Sequence, residues 1–294
     1  MRIVVTGGRG VIGQSLVPAL IDDGHRVSVY DILDEPEQQH DVCNGPFLQR
    51  FIAARRPDVV IHMAAQVGRL TGESDPLTSF RSNCEGTYNV VNACHQAGCW
   101  LINFSTSEVY GHNSVFGKPD ILEQNGIYGL TKLAAEGVVK HYVELGAIRA
   151  YSIRPFMVYG KHEVPNGEFR SAVSNFIDTA MKGDIIKAHR GCVRSWCHVD
   201  DFIDGLRLVL ATPPNWQDYK AFSIGTDEYR TMEDCAKIVI DTVGTGSYVV
   251  TNPPAFLVSE VKKADFSHIR SLGFEPKVTL EEGVRRTYEW MRER

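Results

Sequence analysis

The chain has no C-x-x-C pair, no long apolar run, no internal repeat and no block of one charge sign, and each absence removes a class of function. Its seven cysteines (Cys43, Cys84, Cys94, Cys99, Cys192, Cys197 and Cys235) are odd in number and scattered, which argues against a disulfide framework, a redox pair or a zinc site. No apolar stretch reaches the length that spans a bilayer. The net charge of −5, with Lys and Arg dispersed along the chain, builds no basic face for duplex nucleic acid or an anionic membrane. Neither partner is expected, which leaves a small molecule as the default ligand. Met1 and Arg2 lead directly into Ile3-Val4-Val5, leaving no room for a signal or transit segment, so a cytoplasmic protein with reduced thiols is expected.

What is present is ordinary in amount and informative in order. The 294 residues are 43% hydrophobic and 23% charged, enough for a buried core in one large or two unequal domains. Apolar β-branched runs alternate with stretches of helical period: Arg2–Thr6, Gly10–Asp23, Arg26–Asp31, Phe47–Arg55, Val59–Ala65, Phe80–Gln96, Trp100–Ser105, Tyr128–Leu145 and Ala150–Val158. That βαβα alternation predicts an α/β fold with a parallel sheet covered on both faces. After Tyr159 the pattern loosens, with Gly and Pro clusters at Lys161–Gly167, Thr212–Asn215 and Asn252–Pro254, which reads as a smaller, partly interleaved second region.

Thr6-Gly7-Gly8-Arg9-Gly10-Val11-Ile12-Gly13 sets glycines at G-x-x-G-x-x-G between a strand and a helix, where backbone can approach a pyrophosphate lying against the free N–H groups of the helix start. By itself such a pattern is also a plain tight turn. The next strand ends in Asp31, where a carboxylate can accept both hydroxyls of an adenine ribose, and a dinucleotide site is therefore expected. Asp31 favours NAD over NADP; Arg9 could instead neutralise a 2′-phosphate, or simply be solvated.

Farther on, Phe104-Ser105-Thr106-Ser107-Glu108-Val109-Tyr110-Gly111 comes after a strand, and Tyr128-Gly129-Leu130-Thr131-Lys132 opens a helical stretch. Tyr128 and Lys132, at i and i+4, share one helix face. A lysine ammonium there is expected to lower the phenol's pKa, and a phenolate beside the Thr106 hydroxyl could take the proton of an alcohol while NAD takes the hydride. Y-x-x-x-K also occurs as an exposed helical pair. His62, His112 and His198 read as hydrogen-bonded structural imidazoles, and no metal is assigned, since Cys192, Cys197 and His198 lack a fourth ligand.

Taken in order, Thr6–Gly13, Asp31, Asp41-Val42, His62-Met63-Ala64-Ala65, Asn83-x-x-Gly86-Thr87-x-Asn89, the V-Y-G segment, Y-x-x-x-K, Arg154-Pro155-Phe156-x-Val158-Tyr159-Gly160 and Arg194-Ser195-Trp196-Cys197-His198-Val199-Asp200-Asp201 resemble the extended short-chain dehydrogenases, the nucleotide-sugar epimerase, dehydratase and decarboxylase group. The resemblance covers nearly the whole chain. It implies a Rossmann-type doubly wound parallel sheet over residues 1–160, completed by about 195–227, with a smaller α/β substrate-binding domain from 161–194 and 228–294. NAD would be held by Gly7, Arg9, Gly10, Val11, Ile12, Gly13, Asp31, Asn83, Tyr128 and Lys132, with adenine against Asp41 and Val42 and pyrophosphate against Ala64 and Ala65. Thr106, Tyr128 and Lys132 would form the oxidation site, and Ser107, Asn175 with Phe176, and Arg194 would meet a nucleotide-sugar, most commonly a UDP-sugar. Without the resemblance, Asn175 is equally a helix-surface residue and Arg194 a salt-bridge partner. The group also implies a homodimer through Phe80–Gln96 and Tyr128–Leu145. Two departures stand out: the short stretch from Asp31 to Asp41 suggests that the helix between the second and third strands is trimmed or missing, and Lys262-Lys263-Ala264-Asp265 stands where relatives often have a phosphate-binding arginine.

In that family the shared first step oxidises sugar carbon 4. Dehydratases usually carry Asp-Glu where this chain has Ser107-Glu108, so the acid for a departing hydroxyl is gone. Simple 4-epimerases usually lack the Glu, whereas glucuronate decarboxylases resemble S-T-S-E-V-Y-G. Glu108 is therefore a candidate base or electrostatic partner for carbon-5 chemistry, or a structural carboxylate at a helix start. The expectation is a nucleotide-hexose 4-epimerase, then a UDP-glucuronate-type decarboxylase, then a dehydratase. Asp31 and the Arg194–Asp201 segment argue against an NADP-dependent ketone reductase, and retention of Thr106, Tyr128 and Lys132 argues against a non-catalytic dinucleotide sensor.

Overall fold

The first strand, β1 (Arg2–Thr6), is apolar on both faces and pairs in parallel on either side, with β2 (Arg26–Tyr30) and β3 (Val59–His62). Between them run α1 (Val11–Asp22) and α2 (Gly45–Arg55). The computed structural model describes residues 1–34, 40–111, 119–124, 126–163, 171–252 and 261–294; His112 and parts of the Lys161–Gly167 and Asn252–Pro254 clusters lie outside them. Next come α3 (Arg69–Ser74), α4 (Pro76–Phe80), a π-helical turn over Arg81–Glu85 and α5 (Gly86–Ala97), then β4 (Trp100–Phe104), α6 (Ile127–Glu144) and β5 (Ala150–Pro155). The remainder holds β6 (Val158–Tyr159), α7 (Ala172–Met181), β7 (Ile185–His189), β8 (Val193–Ser195), β9 (Cys197–His198), α8 (Val199–Leu210), β10 (Lys220–Ile224), β11 (Tyr229–Thr231), α9 (Met232–Val243), β12 (Ser247–Thr251), α10 (Ser267–Arg270) and α11 (Leu280–Arg292).

The six-stranded sheet has the order β10-β5-β4-β3-β1-β2, all parallel, a Rossmann-type doubly wound arrangement. Strand order reverses between β1 and β3, so a crevice opens at the carboxyl ends of those two strands, where open α/β sheets bind ligands. On one face Leu16, Leu20, Phe202 and Leu206 pack on Ile3, Val5 and Ile61; on the other, Leu48, Ile52, Val90, Val139 and Val143 pack on Val4, Val60 and Leu101. A third cluster, around Phe176, Ile177, Trp196, Cys235, Val239 and Val284, joins α7, α9 and α11. Phe266, Ile269 and Phe274 pack with Phe222 and Ile224 of the sheet's sixth strand. We propose counting residues 264–274 with the larger unit rather than with 228–294. No helix among the described residues is long and apolar enough to cross a membrane.

Three local expectations need correction. The helix between β2 and β3 is present despite the short stretch from Asp31 to Asp41: it lies after Asp41, over Gly45–Arg55, where Asn44 accepts from the Phe47 N–H and Pro46 occupies the first turn. The stretch Ala150–Val158 is two strands, because Pro155 has no N–H to continue a ladder and Met157 adopts φ +37°. The helical stretch beginning at Phe80 starts earlier, at Pro76, where Asp75 accepts from the Thr78 N–H, and it widens to π geometry at Arg81–Glu85.

Candidate active site

The glycine turn fits backbone where side chains would not. Gly7 has φ +70°, and a Cβ there would lie 2.6 Å from the Ala64 nitrogen; at Gly13 it would meet the Gly8 carbonyl oxygen at 2.4 Å. Gly10 caps α1 without a side-chain hydrogen bond, leaving the first-turn N–H groups of Val11, Ile12 and Gly13 facing the crevice end of the helix. Thr6 Oγ1 and His62 Nδ1 are 2.7 Å apart, His62 Nε2 and Thr87 Oγ1 3.1 Å, and the Ala64 N–H donates to Thr6 Oγ1 at 3.3 Å. Burial, helped by the charge of Lys132, pushes His62 down to about 3, so the imidazole stays neutral and ties β1, β3 and α5 together.

Asp31, 6% exposed, ends β2 and accepts from the N–H groups of Arg9 (2.8 Å) and Leu33 (3.0 Å). The Arg9 guanidinium is held by Asp34, which also bonds His40; despite partial burial these partners keep the Asp34 carboxyl below its ordinary value. Arg9 is thus already charge-paired beside Asp31. Val42 is buried and its carbonyl accepts from Asn89 Nδ2, while the neighbouring Asp41 side chain is exposed. Asn83, on the π-helical turn, is fully buried: its amide oxygen accepts from the Gln66 N–H (2.9 Å), and its nitrogen donates to the Gln66 carbonyl (3.1 Å) and Thr131 Oγ1 (3.0 Å). It therefore fixes the loop just beyond Ala64 and Ala65.

Thr106 caps a 3₁₀ turn, Ser107–Tyr110, accepting from the Glu108 N–H at 3.2 Å, and its hydroxyl is near enough to favour the charged form of the Tyr128 phenol. Tyr128 and Lys132 are both buried on α6. Burial moves Lys132 down to about 8 against the charge of Glu136. In the protein alone, burial, with the negative charge of Glu108, pushes the Tyr128 phenol up to about 12 against the Thr106 hydroxyl. Ser107 is buried beside Thr106.

The largest departure concerns Glu108. Lys262 Nζ sits on its Oε1, and Arg69 Nε donates to its Oε2 at 2.5 Å. Burial alone would raise the carboxyl, but these two cations hold it down to about 2. Arg194 is close enough for its charge to be felt by Lys262, while its Nη1 donates to the Val193 carbonyl at 2.9 Å. Lys262, whose side chain is 2% exposed, is therefore directed at the catalytic turn. Asn175, by contrast, is exposed on α7, which packs on α9, α11 and β7, and Phe176 is buried in the third cluster. Arg69 belongs to no motif that a sequence reveals, and the sequence around Lys262 shows only a departure from the phosphate-binding arginine of relatives.

The profile of the NAD dependent epimerase/dehydratase family matches residues 3–225. The chain is 27% identical to a putative UDP-glucose 4-epimerase of Methanocaldococcus jannaschii, over 99% of this chain and 98% of that protein. It is 25% identical to UDP-glucuronic acid decarboxylase 1 of Danio rerio, over 98% of this chain and 72% of that one. Among solved structures, the UDP-glucose 4-epimerase of Thermus thermophilus in complex with NAD superposes with a TM-score of 0.86 at 26% identity, covering 99% of both chains. Glycine turn, buried Thr106–Tyr128–Lys132 group and these likenesses agree: the chain belongs to the NAD-dependent epimerase/dehydratase family.

Proposed function

We propose that this chain is an NAD-dependent nucleotide-hexose 4-epimerase, acting on a UDP-sugar. The observation that carries the reading is the division of labour around the Ser107–Tyr110 turn: the Thr106 hydroxyl acts on the buried Tyr128 phenol, with Lys132 one helical turn on, whereas Glu108 is ion-paired to Lys262 and Arg69 and held down to about 2. A carboxylate so paired is a poor proton acceptor, which leaves oxidation and re-reduction at carbon 4 as the chemistry the side chains can run. NAD, which the glycine turn and Asp31 fit, supplies hydride acceptance and return. Tyr128 takes the hydroxyl proton and returns it, Thr106 orients that hydroxyl, and Lys132 stands one helical turn away on the same face of α6. Inversion requires the ketone to present its opposite face to the same hydride donor. Gly7, Arg9, Gly10, Val11, Ile12, Gly13, Asp31, Asp41, Val42, Ala64 and Ala65 line the cofactor, and Asn83 acts through the 64–66 loop. Ser107 and Arg194 meet the substrate.

Decarboxylation of a UDP-glucuronate-type substrate is the second reading, favoured by the Ser105–Gly111 string and by decarboxylases among the relatives. Dehydration is third, because Ser107 cannot act as the acid. Incubation with NAD and UDP-glucose or UDP-galactose, with chromatography of the products, should give an isobaric product; carbon dioxide from UDP-glucuronate without any epimer would replace the proposal with decarboxylation. We further propose a cytoplasmic homodimer through α5 and α6, next to which Leu77, Phe80 and Tyr88 are exposed; a monomer by light scattering at micromolar concentration would refute the dimer.

A further inference from the structure

We infer that Arg154 is a positioning residue for the oxidation at carbon 4: it ties the turn that Thr106 opens to the helix that carries Tyr128 and Lys132, and acts through Thr106 rather than on the substrate. This deepens the 4-epimerase reading and rests on its oxidation step. Tyr128, Lys132 and Glu136 stand at i, i+4 and i+8 on α6, a buried stripe along one face of the helix. Arg154 follows Ile153 on β5, and the Ile153 carbonyl accepts from the Ser105 N–H at 2.7 Å, so the arginine starts beside the residue that leads into the turn. Its Nε and Nη2 donate to the two oxygens of Glu136 at 2.9 and 2.7 Å, and its Nη1 donates to the Tyr110 hydroxyl at 3.1 Å. That hydroxyl also lies 2.9 Å from Ser223 Oγ on β10, and the Tyr110 ring centre is 5.1 Å from the guanidinium carbon. Tyr110 closes the 3₁₀ turn that Thr106 opens. The contacts therefore form a ring: from Tyr128 along α6 to Glu136, across Arg154 to Tyr110, and back through the turn to Thr106, whose hydroxyl acts on the Tyr128 phenol.

An ion pair that only fastened β5 to α6 would need one charge of each sign and nothing more. The ring adds a third contact, and a guanidinium supplies it, because its planar fork serves a carboxylate with two N–H groups and keeps another for the phenol. The turn is a single 3₁₀ turn of four residues, a geometry with weak internal hydrogen bonds, so its place relative to α6 is set by what grips its two ends. One end is held to β5 through Ser105, the other through Tyr110. The Arg154 and Glu136 side chains are 13% and 5% exposed, a setting that strengthens charge-assisted contacts. Removal of a proton from the carbon-4 hydroxyl requires Thr106 and Tyr128 to converge on one oxygen, and a displacement on the order of 1 Å in such a pair can cost about a hundredfold in rate.

The test is steady-state turnover of the NAD-loaded protein on UDP-glucose and UDP-glucuronate, with the melting temperature of each variant recorded. Arg154→Met should lower kcat by about a hundredfold while KM and NAD affinity stay within about threefold, and Arg154→Lys, which keeps the charge but loses the fork, should recover only part of that loss. Tyr110→Phe removes one hydroxyl and leaves the Arg154–Glu136 pair, so it carries the test if Arg154→Met does not fold; it should lower kcat by about tenfold, the range for a hydrogen bond to a charged group. In a Thr106→Val background both changes should cost far less, because the hydroxyl that they position is gone. Equal fold losses in the two backgrounds overturn the inference, as does a rise in KM at unchanged kcat. Full recovery in Arg154→Lys also overturns it, by reducing the residue to its charge. Product identity separates the two claims: carbon dioxide in place of an epimer sinks 4-epimerisation and leaves the positioning role standing, because both reactions begin with the same oxidation, whereas an epimer formed at undiminished kcat in Arg154→Met and Tyr110→Phe does the reverse.

Discussion

The turn after β1 is built from one stretch of eight residues, Thr6–Gly13, and presents mostly backbone; the charged triad beside Tyr128 takes one side chain each from positions 69, 108 and 262. The first holds its shape through glycines that leave no room for a Cβ, the second through opposite charges that need each other. A site made of backbone is specific for what all dinucleotides share, a pyrophosphate and a ribose. A site made of distant side chains can change its preference by one substitution while the first remains intact. Family membership here goes with the first site; the proposed reaction turns on the second.

That contrast can be broken or sharpened by experiment. Tyr128→Phe should lower turnover by about 10²–10⁴-fold, the usual share of a positioned acid/base, with NAD affinity retained. Turnover within threefold of normal would remove Tyr128 from the chemistry. Gly7→Ala meets both a φ of +70° and a Cβ contact of 2.6 Å with the Ala64 nitrogen, and should weaken NAD binding by about 30–100-fold, equivalent to about 2–3 kcal/mol of strain. An unchanged NAD titration would mean that the loop carrying Ala64 yields freely. Asp34→Asn releases Arg9 from its ion pair and should move the NADP-to-NAD preference by about tenfold toward NADP; no movement would show that Arg9 does not reach the ribose.

The smallest effect expected is on acid stability. Glu108 is held at about 2 in the folded chain, below its ordinary value of 4.5, so its contribution is complete above about pH 4.5 and is lost as pH falls toward 2. Glu108→Gln should flatten the stability profile in that window and lower the melting temperature at pH 7 by a few degrees, roughly 1–2 kcal/mol once the partial exposure of the pair is allowed for. Identical acid limbs for both proteins would show that the triad is not an ion pair.

Legibility in the sequence divides along the same line. Short apolar runs such as Val59-Val60-Ile61 announce covered strands, because a parallel strand buried on both faces shows its nature within a few residues. Tyr128 and Lys132 are legible because helical spacing alone places them together. The short stretch from Asp31 to Asp41 misleads, since the helix it leaves no room for forms after Asp41 instead, over Gly45–Arg55. Arg69 and Lys262 are beyond reach in principle: nothing within ten residues of either points to Glu108, and the ion pairs exist only once the sheet has set their positions. The π-helical turn at Arg81–Glu85 is likewise silent, although it aims Asn83 at both polar groups of the Gln66 backbone.

The attachment of Lys262 to Glu108 also sets an order of events during synthesis. A ribosome adding about 5–20 residues per second needs on the order of 8–30 s to travel from the codon for Glu108 to that for Lys262. Through that interval the nascent chain can already make the glycine turn and the strands around it, while Glu108 has only the first of its two cations, Arg69. The turn that fits a dinucleotide is therefore made before the Arg69–Glu108–Lys262 cluster is complete.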